Sequence, residues 1–245
     1  MTLRSFRCLA GAAVALVLPR LSAAQTAAPP PRTRTTVDVG FVSASGNTRI
    51  RTLTTAEQFV FRAAPWTLTQ TFAIVYSRSD TVETANSIRA GVRADYAFSP
   101  RLRVYALGVY ERNRFAGVAR RFEEQVGASW GAFVGPVHVL ELEAGAGRNQ
   151  QTSPAALVTD YWLGRAAAHY RFTFRPGAYL DEKLEVLQSL QSGPERRVNS
   201  DAAVVAPLSA RIALRFGYTI HVVNQPPPGF RKTDQVVSSG IQIVF

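Results

Sequence analysis

The feature that most restricts the fold of this chain is a series of long segments in which apolar and polar residues alternate one by one. In residues 87–98 the apolar side chains share one face, and Arg89, Arg93 and Asp95 share the other. Residues 211–222 repeat the pattern. Alternation with period two is typical of a β-strand whose two faces meet different environments. The chain is therefore predicted to be all-β.

Twelve such strands are predicted, with ten as the alternative because three of the segments alternate weakly. They cover roughly residues 35–44, 49–62, 66–79, 86–98, 102–113, 123–134, 137–148, 159–172, 178–189, 196–206, 210–224 and 233–245. Most are longer than the about 5–6 residues of strands in soluble proteins. They suit the about 9–11 residues that a tilted strand needs to cross a membrane. Strand length therefore favours a membrane-spanning barrel.

The connections between the predicted strands alternate between short and long. Five are short and contain a proline: residues 63–65, 99–101, 135–136, 175–177 and 207–209. Six are longer: residues 43–48, 80–85, 114–122, 149–158, 190–195 and 225–232. Tight periplasmic turns and longer outer loops are typical of outer-membrane barrels. The fold is therefore predicted to be a single up-and-down antiparallel transmembrane β-barrel.

The N-terminal residues have the organisation of a secretory signal peptide. Arg4 and Arg7 precede an apolar stretch at residues 8–18, and small residues at 22–24 follow it. We expect a cleaved leader over residues 1–24, a proline-rich periplasmic linker over residues 25–33 and the barrel over residues 34–245. An exported chain without a long apolar helix is expected in the bacterial outer membrane, because barrel closure satisfies every backbone polar group in lipid.

Composition narrows the classes of function. Cys8 is the only cysteine and lies in the leader, so disulfide and thiol chemistry are excluded from the exported chain. Loss of the leader leaves a formal charge of about +8, nearly all of it from arginine. The arginines are spread along the strands rather than gathered into a patch, so nucleic acid is not an expected partner.

The C-terminus is the last signal in favour of a barrel. Residues 236–245 alternate and end on Phe245, as the final strand of outer-membrane barrels usually does. We expect Phe245 to be the signal read by the barrel assembly machinery. Outer-membrane lipid and lipopolysaccharide are the other expected partners.

Charged residues on the polar faces are the candidates for a lumen lining. This set consists of Arg89, Arg93, Asp95, Glu141, Glu143, Arg165, Arg211, Arg215 and His221. Inward ionic residues must be hydrated or paired. One interpretation is an ionic ladder that fills a narrow lumen, and the other is a constriction that selects small anions.

A second set of arginines flanks a predicted outer loop. It consists of Arg112, Arg114, Arg120 and Arg121. Guanidinium groups bind phosphate through charge-assisted pairs, so we expect contact with the phosphates of lipopolysaccharide. The alternative is an ordinary solvated loop.

Four local patterns, in order along the chain, resemble one family. They lie at residues 39–48 (VGFVSASGNT), 110–118 (YERNRFAGV), 142–147 (LEAGAG) and 232–234 (KTD). They are similar to the salt-induced outer-membrane proteins, which are classed as a domain of unknown function in Gram-negative bacteria. The resemblance implies an outer-membrane barrel and supplies no established catalytic or ligand residues.

The chemistry-bearing residues do not form an enzymatic pattern. His138, His169 and His221 lack metal-ligand spacing. We therefore predict no catalytic, metal or cofactor-binding residues. The expected function is that of a non-enzymatic barrel, either an envelope-stress or structural protein or a narrow pore for small polar solutes, including anions. The alternatives are a membrane-embedded enzyme that acts on lipid and a soluble periplasmic β-sandwich that binds a ligand.

Overall fold

The computed structural model describes residues 31–44, 50–191 and 195–245. Within them, twelve strands form one closed antiparallel barrel in which each strand pairs with its neighbours in the chain and the first pairs with the last. The strands are β1 (Thr33–Ala44), β2 (Ile50–Ala63), β3 (Trp66–Ser79), β4 (Val82–Ala97), β5 (Leu102–Asn113), β6 (Val118–Val134), β7 (His138–Thr152), β8 (Val158–Arg175), β9 (Ala178–Ser189), β10 (Arg196–Pro207), β11 (Ile212–Val223) and β12 (Thr233–Val244). A 3-10 helix, Arg114–Ala116, joins β5 to β6. The predicted up-and-down barrel of about twelve strands is confirmed.

The connections lie at two ends of the barrel. The turn end carries the connections after β2, β4, β6, β8 and β10, which are two to four residues long. The loop end carries the connections after the odd-numbered strands, and the one before β12 is nine residues long. One expected long loop, residues 80–85, is instead a two-residue turn, because β4 begins at Val82 and pairs there with Ser79.

Besides β4, two strands extend further toward the loop end than expected. β6 begins at Val118 and β7 continues to Thr152, and the added residues pair with each other from Arg120 opposite Thr152 onward. Polar residues continue to alternate beyond the apolar part of these strands, so the ladder continues where the apolar pattern stops.

Several expectations lie outside the described residues. They concern the signal peptide at residues 1–24, residues 25–30 of the linker and the turn at residues 45–48. Among the described residues, no helix is long and apolar enough to cross a membrane.

The two faces of the wall have opposite character. Large apolar side chains point outward and stay exposed, among them Val126 at 64% and Phe216 at 56%. Polar side chains point inward and are buried, among them Glu123 at 2% and Asn149 at 0%. A soluble protein buries its apolar side chains. The reverse arrangement suits a wall whose outer face meets hydrocarbon and whose lumen is polar.

Aromatic side chains form clusters on the outer face near both ends of the barrel. At the turn end, Trp66 packs edge-on against Tyr96, which packs against Phe98, each with ring centroids 5.0 Å apart. Toward the loop end, Tyr110 and Phe122 lie with ring centroids 5.0 Å apart. Aromatic belts at two levels are typical of the two interfaces of a membrane.

The seam between the first and last strands is short. Thr36–Val39 of β1 pair with Val244–Ile241 of β12 in four residue pairs, whereas β7 and β8 share fifteen. Phe245 extends the ladder, since its backbone N–H donates to Thr35 O at 2.9 Å and its carbonyl accepts from Thr35 N at 3.2 Å. Among the described residues no β1–β12 pair lies beyond Val39 toward the loop end.

Candidate functional site

The lumen gathers charged side chains from strands far apart in the chain. Because side chains alternate across a strand, one register decides which residues of each strand face inward. Arg93 and Asp95 of β4, Glu143 of β7 and Arg165 of β8 all do so, and they line one cavity. The lumen is therefore the candidate functional site.

Arg165 is the centre of a network halfway along the lumen. Its Nη1 lies 2.5 Å from Glu143 Oε2 and 2.8 Å from Tyr105 Oη, and its Nε lies 2.6 Å from Glu185 Oε1. Arg93 contacts Glu143 as well, at 2.7 Å from Nη1 to Oε1. The guanidinium groups and carboxylates thus alternate across the lumen, so each charge has an opposite neighbour.

Two further ion pairs extend this central network toward the turn end. Arg93 Nη2 lies 2.8 Å from Asp95 Oδ1. Arg103 donates to Glu141, and its Nε also donates to Ser129 Oγ at 3.3 Å. Charge-assisted pairs of this kind hold both side chains in fixed orientations.

The ring of Tyr105 packs against two arginines of the central network. The guanidinium carbon of Arg93 lies 4.1 Å from the ring centroid and that of Arg165 lies 5.5 Å from it, both within cation–π range. The ring lies against Gly127 and Gly145, where a Cβ would come within 2.6 Å of the phenol oxygen. Glycine on the lumen face therefore makes room for the tyrosine.

A second network lies nearer the loop end, where Arg121, Glu123 and Arg197 are buried. Glu111 Oε2 accepts from Arg89 and Arg121 at 3.0 Å each. Arg197 of β10 reaches across to Glu123 of β6, with Nη1 and Oε1 2.5 Å apart. Since β6 and β10 are not neighbours in the sheet, this pair bridges the lumen.

A third group lies nearer the turn end. Asp181 Oδ1 lies 2.9 Å from His169 Nε2 and 2.7 Å from Arg171 Nη2. Gln242 accepts from Tyr179 Oη at 3.1 Å, and its Nε2 donates to Asp38 Oδ1 at 2.9 Å. The side chains of the three groups come from β1, β4 to β10 and β12.

The lumen also contains an open cavity, which several of these charged side chains line. This cavity of about 860 Å³ is lined near the loop end by Thr84, Phe115 and Asp234 and near the turn end by Arg62 and Thr67. These residues belong to opposite ends of their strands or to the connecting helix, so the cavity extends along the barrel. Its volume lies in the range of small-molecule sites.

The charges that line this cavity balance. Among the described residues, six basic and six acidic side chains line it: Arg62, Arg89, Arg93, Arg103, Arg165 and Lys183, with Asp95, Glu141, Glu143, Glu185, Asp201 and Asp234. The β3 side adds a neutral row of hydroxyl groups from Thr67, Thr69 and Thr71. The net positive charge of the whole chain is therefore not concentrated on the cavity wall.

The expected lumen residues fall in several places. Seven of them line the cavity: Arg89, Arg93, Asp95, Glu141, Glu143, Arg165 and His221. Arg215 is also on the inner face, where its Nε lies 3.8 Å from Asp38 Oδ2. Arg211 differs from the expectation. It precedes β11 in a turn and is exposed, because the strand begins one residue later at Ile212.

The expected loop arginines also separate. Arg114 is exposed in the 3-10 helix, and Arg112 and Arg120 lie on the outer face near the loop end. The expectation that Arg121 contacts lipopolysaccharide from an outer loop is wrong. This residue lies on the inner face of β6, 7% exposed, with its Nη2 2.6 Å from Gln151 Oε1. The strand begins earlier than expected, so residue 121 takes the inward position.

Comparison with known proteins assigns the chain to a family. A family described as "Protein of unknown function, DUF481" matches residues 37–245. The chain belongs to this family. No curated protein matches it.

Two solved structures share the architecture. An outer membrane channel from Pseudomonas putida F1 is similar at a TM-score of 0.54 and 13% identity, over 89% of this chain and 97% of that chain. The translocator domain of the autotransporter NalP from Neisseria meningitidis is similar at a TM-score of 0.50 and 15% identity, over 88% of each chain. At these identities the similarity is one of fold.

One motif behind the family resemblance shapes the mouth of the cavity. Residues 110–118 form the end of β5, the 3-10 helix and the start of β6. Asn113 caps the helix by accepting from Ala116 N at 3.2 Å through its side-chain oxygen. Phe115 then lines the loop end of the cavity.

Sequence reasoning missed several residues of the networks. They are Arg103, Tyr105, Glu111, Glu123, Glu185 and Arg197, and all lie on inner faces. Their positions follow from the same alternation as the predicted ones. Arg197 lies in a strand that alternates weakly, and Glu123 stood at the expected start of its strand, so neither was conspicuous.

The described residues form no group of three or more histidine, cysteine or acidic side chains that could hold a metal ion. The three histidines instead contact Tyr170, Asp181 and Asn199, at 2.8 Å, 2.9 Å and 2.9 Å.

Proposed function

We propose that this protein is a non-enzymatic outer-membrane pore for small polar solutes. The observation that carries the proposal is the cavity in the lumen, which extends from Phe115 and Asp234 near the loop end to Arg62 near the turn end. Its lining of hydroxyl groups and paired charges can replace part of the hydration shell of a polar solute. Apolar side chains such as Val60, Val75 and Leu107 share the lining.

The wall itself supports the proposed outer-membrane location. Exposed Val126 and Phe216 and the aromatic clusters near both ends suit a hydrocarbon layer between two interfaces. The turn end then lies in the periplasm together with both ends of the barrel segment, and the loop end faces outward. The leader at residues 1–24 would direct export, with cleavage before the barrel assembles.

The ion-pair networks are proposed to set the width of the pore. Several of their side chains line the cavity and are held in place by opposite charges, as Arg165 is held between Glu143 and Glu185. Twelve strands enclose more space than the eight that side chains alone can fill. The paired side chains therefore narrow an otherwise wider lumen.

The balance of charges along the cavity argues for weak preference between anions and cations. The expectation of an anion-attracting lumen rested on arginines whose acidic partners belong to other strands, such as Glu185 beside Arg165. Paired charges present both signs to a passing ion. We propose that size and polarity, rather than the sign of charge, decide what passes.

The proposal is tested by single-channel recording of refolded protein in a planar bilayer under a salt gradient. Discrete openings with a reversal potential near zero are expected. The folded state is checked in parallel by the heat-dependent shift of gel mobility. Folded protein that never opens would overturn the pore and leave a structural role in the envelope, which the ion-pair networks of the lumen would then serve.

A further inference from the structure

One carboxylate points out of the barrel in the middle of the wall. Glu57 is the eighth of the 14 residues of β2. Gln58, Val60 and Arg62 line the cavity, so Glu57 has the opposite orientation. Its partners across the ladder are Val37 and Phe72. In the proposed location it therefore faces hydrocarbon, where ionisable side chains are rare and mark functional sites.

A second outward polar side chain lies beside it. Gln70 of β3 pairs with Phe59, two residues from Glu57 on the same face. Diagonal neighbours of this kind lie about 7–8 Å apart. The side chains of Glu57 and Gln70 make no hydrogen bond or ion pair with any other residue that the structure describes.

Two other outward carboxylates have hydrogen-bond partners within the barrel. Glu182 of β9 accepts from Ser200 Oγ at 2.8 Å. Asp160, near the loop end of β8, accepts from Arg148 at 2.5 Å and 2.9 Å. The pattern at Glu57 is thus different, with an acceptor and a matching donor side by side and each unused by its own chain.

We infer that the outer face of β1 to β3 is the contact surface of a homodimer. A carboxylate only accepts hydrogen bonds, and the amide nitrogen of glutamine donates two. A two-fold axis along the membrane normal places Glu57 of one copy against Gln70 of the other, and the same pair forms again on the other side of the axis. A patch that holds both a hydrogen-bond acceptor and a matching donor is complementary to a second copy of itself. This self-complementarity favours a second copy of the chain over an unrelated protein.

The apolar surroundings suit the same occupant. Phe59 and Phe72 flank the two polar groups on the outer face. Association of proteins within lipid depends on packing and on hydrogen bonds shielded from water. Two such hydrogen bonds per dimer, enclosed by aromatic rings, would fix how the two copies are aligned at the contact.

The inference rests on the proposed membrane location and is independent of the pore, because a silent barrel dimerises on the same face and a monomeric one still conducts. The experiment measures dimerisation of the full exported chain by sedimentation equilibrium in a neutrally buoyant detergent. Glu57→Leu and Gln70→Leu each remove one member of the pair and should weaken the dimer by about tenfold or more. Both substitutions place an apolar residue on the lipid face, so folding, checked by heat-shifted gel mobility, is preserved.

The exchanged variant Glu57→Gln with Gln70→Glu rebuilds the same pair in reverse and should restore dimerisation to within about threefold of the wild type. Glu182→Gln is the matched control, since its carboxylate is bonded to Ser200 within the chain, and it should leave the dimer unchanged. A wild-type protein that is monomeric at all concentrations overturns the inference. So does a leucine variant that dimerises as tightly as the wild type, or an exchanged variant no better than the single ones.

Discussion

Arg197 and Glu123 form the most deeply buried ion pair of the described lumen, with side chains 5% and 2% exposed. The pair joins two strands that share no ladder, so it ties opposite parts of the wall together through the lumen. Removing two charges from water is costly, and their attraction offsets this cost only while both are present. The contribution of each residue therefore depends on the other.

Replacing one partner should destabilise the barrel far more than replacing both. Glu123→Gln or Arg197→Met alone is expected to lower the free energy of unfolding by roughly 3–5 kcal/mol, because each leaves a buried charge without its nearest partner. The double variant should recover most of that loss. Urea unfolding in lipid vesicles, followed by tryptophan fluorescence, measures all three. Additive losses in the double variant would show that the two side chains act independently.

At the scale of single elements, β11 shows how alternation sorts side chains between two media. Phe216 lies on the outer face and is 56% exposed. Thr219, three residues further, lies on the inner face, lines the cavity and donates to Asp201 at 2.7 Å. The same substitution at the two positions therefore enters hydrocarbon in one case and a polar lumen in the other.

Arginine should be rejected at the first position and accepted at the second. Phe216→Arg places a charge on the lipid face, where it costs about 2–4 kcal/mol near the midplane, and should sharply reduce assembly. Thr219→Arg gains Asp201 as a neighbour and should assemble normally. The amount of heat-modifiable protein in outer-membrane fractions compares the two. Equal amounts would contradict the assignment of the two faces.

The strands themselves were largely predictable, because their side chains alternate between two different media. Alternation, proline-containing turns and segment length located all twelve, most of them within a few residues of their ends. The errors lie at the loop end, where β4 and β6 begin about four or five residues earlier than expected. There the outer face is no longer apolar, as at Arg120 and Glu124, so alternation of hydrophobicity disappears while the ladder continues.

At the scale of the whole molecule, the lumen combines contributions from nearly every strand into one balance of charge. Arg165 alone contacts Glu143 of β7, Glu185 of β9 and Tyr105 of β5. Alternation predicts which residues face inward. It does not predict which inward residues lie at the same height, because that depends on the stagger of strands around the closed barrel. The Arg197–Glu123 bridge could therefore not be predicted from the sequence.

Changing this balance should change ion selectivity. Arg165→Gln removes one cation and leaves Glu143 and Glu185 in excess, so the pore is expected to favour cations by about twofold or more. The reversal potential under a salt gradient measures the change. Adding Glu185→Gln to Arg165→Gln restores the balance and should return the potential toward the wild-type value. A potential that stays constant in both variants would mean that these charges do not meet the permeating ions.

The short ladder between β1 and β12 has a mechanical consequence. Pressure from inside a closed barrel produces the same circumferential tension at every strand pairing, so the wall separates first at the weakest pairing. That pairing is the four residue pairs from Thr36–Val244 to Val39–Ile241, together with the clasp of Phe245 on Thr35. Osmotic swelling or an oversized solute would part the wall there, starting at the loop-end half of β12 and running toward Phe245. The barrel would then become an open, curved sheet with β1 and β12 as free edges. The separation would begin on the outer side of the membrane.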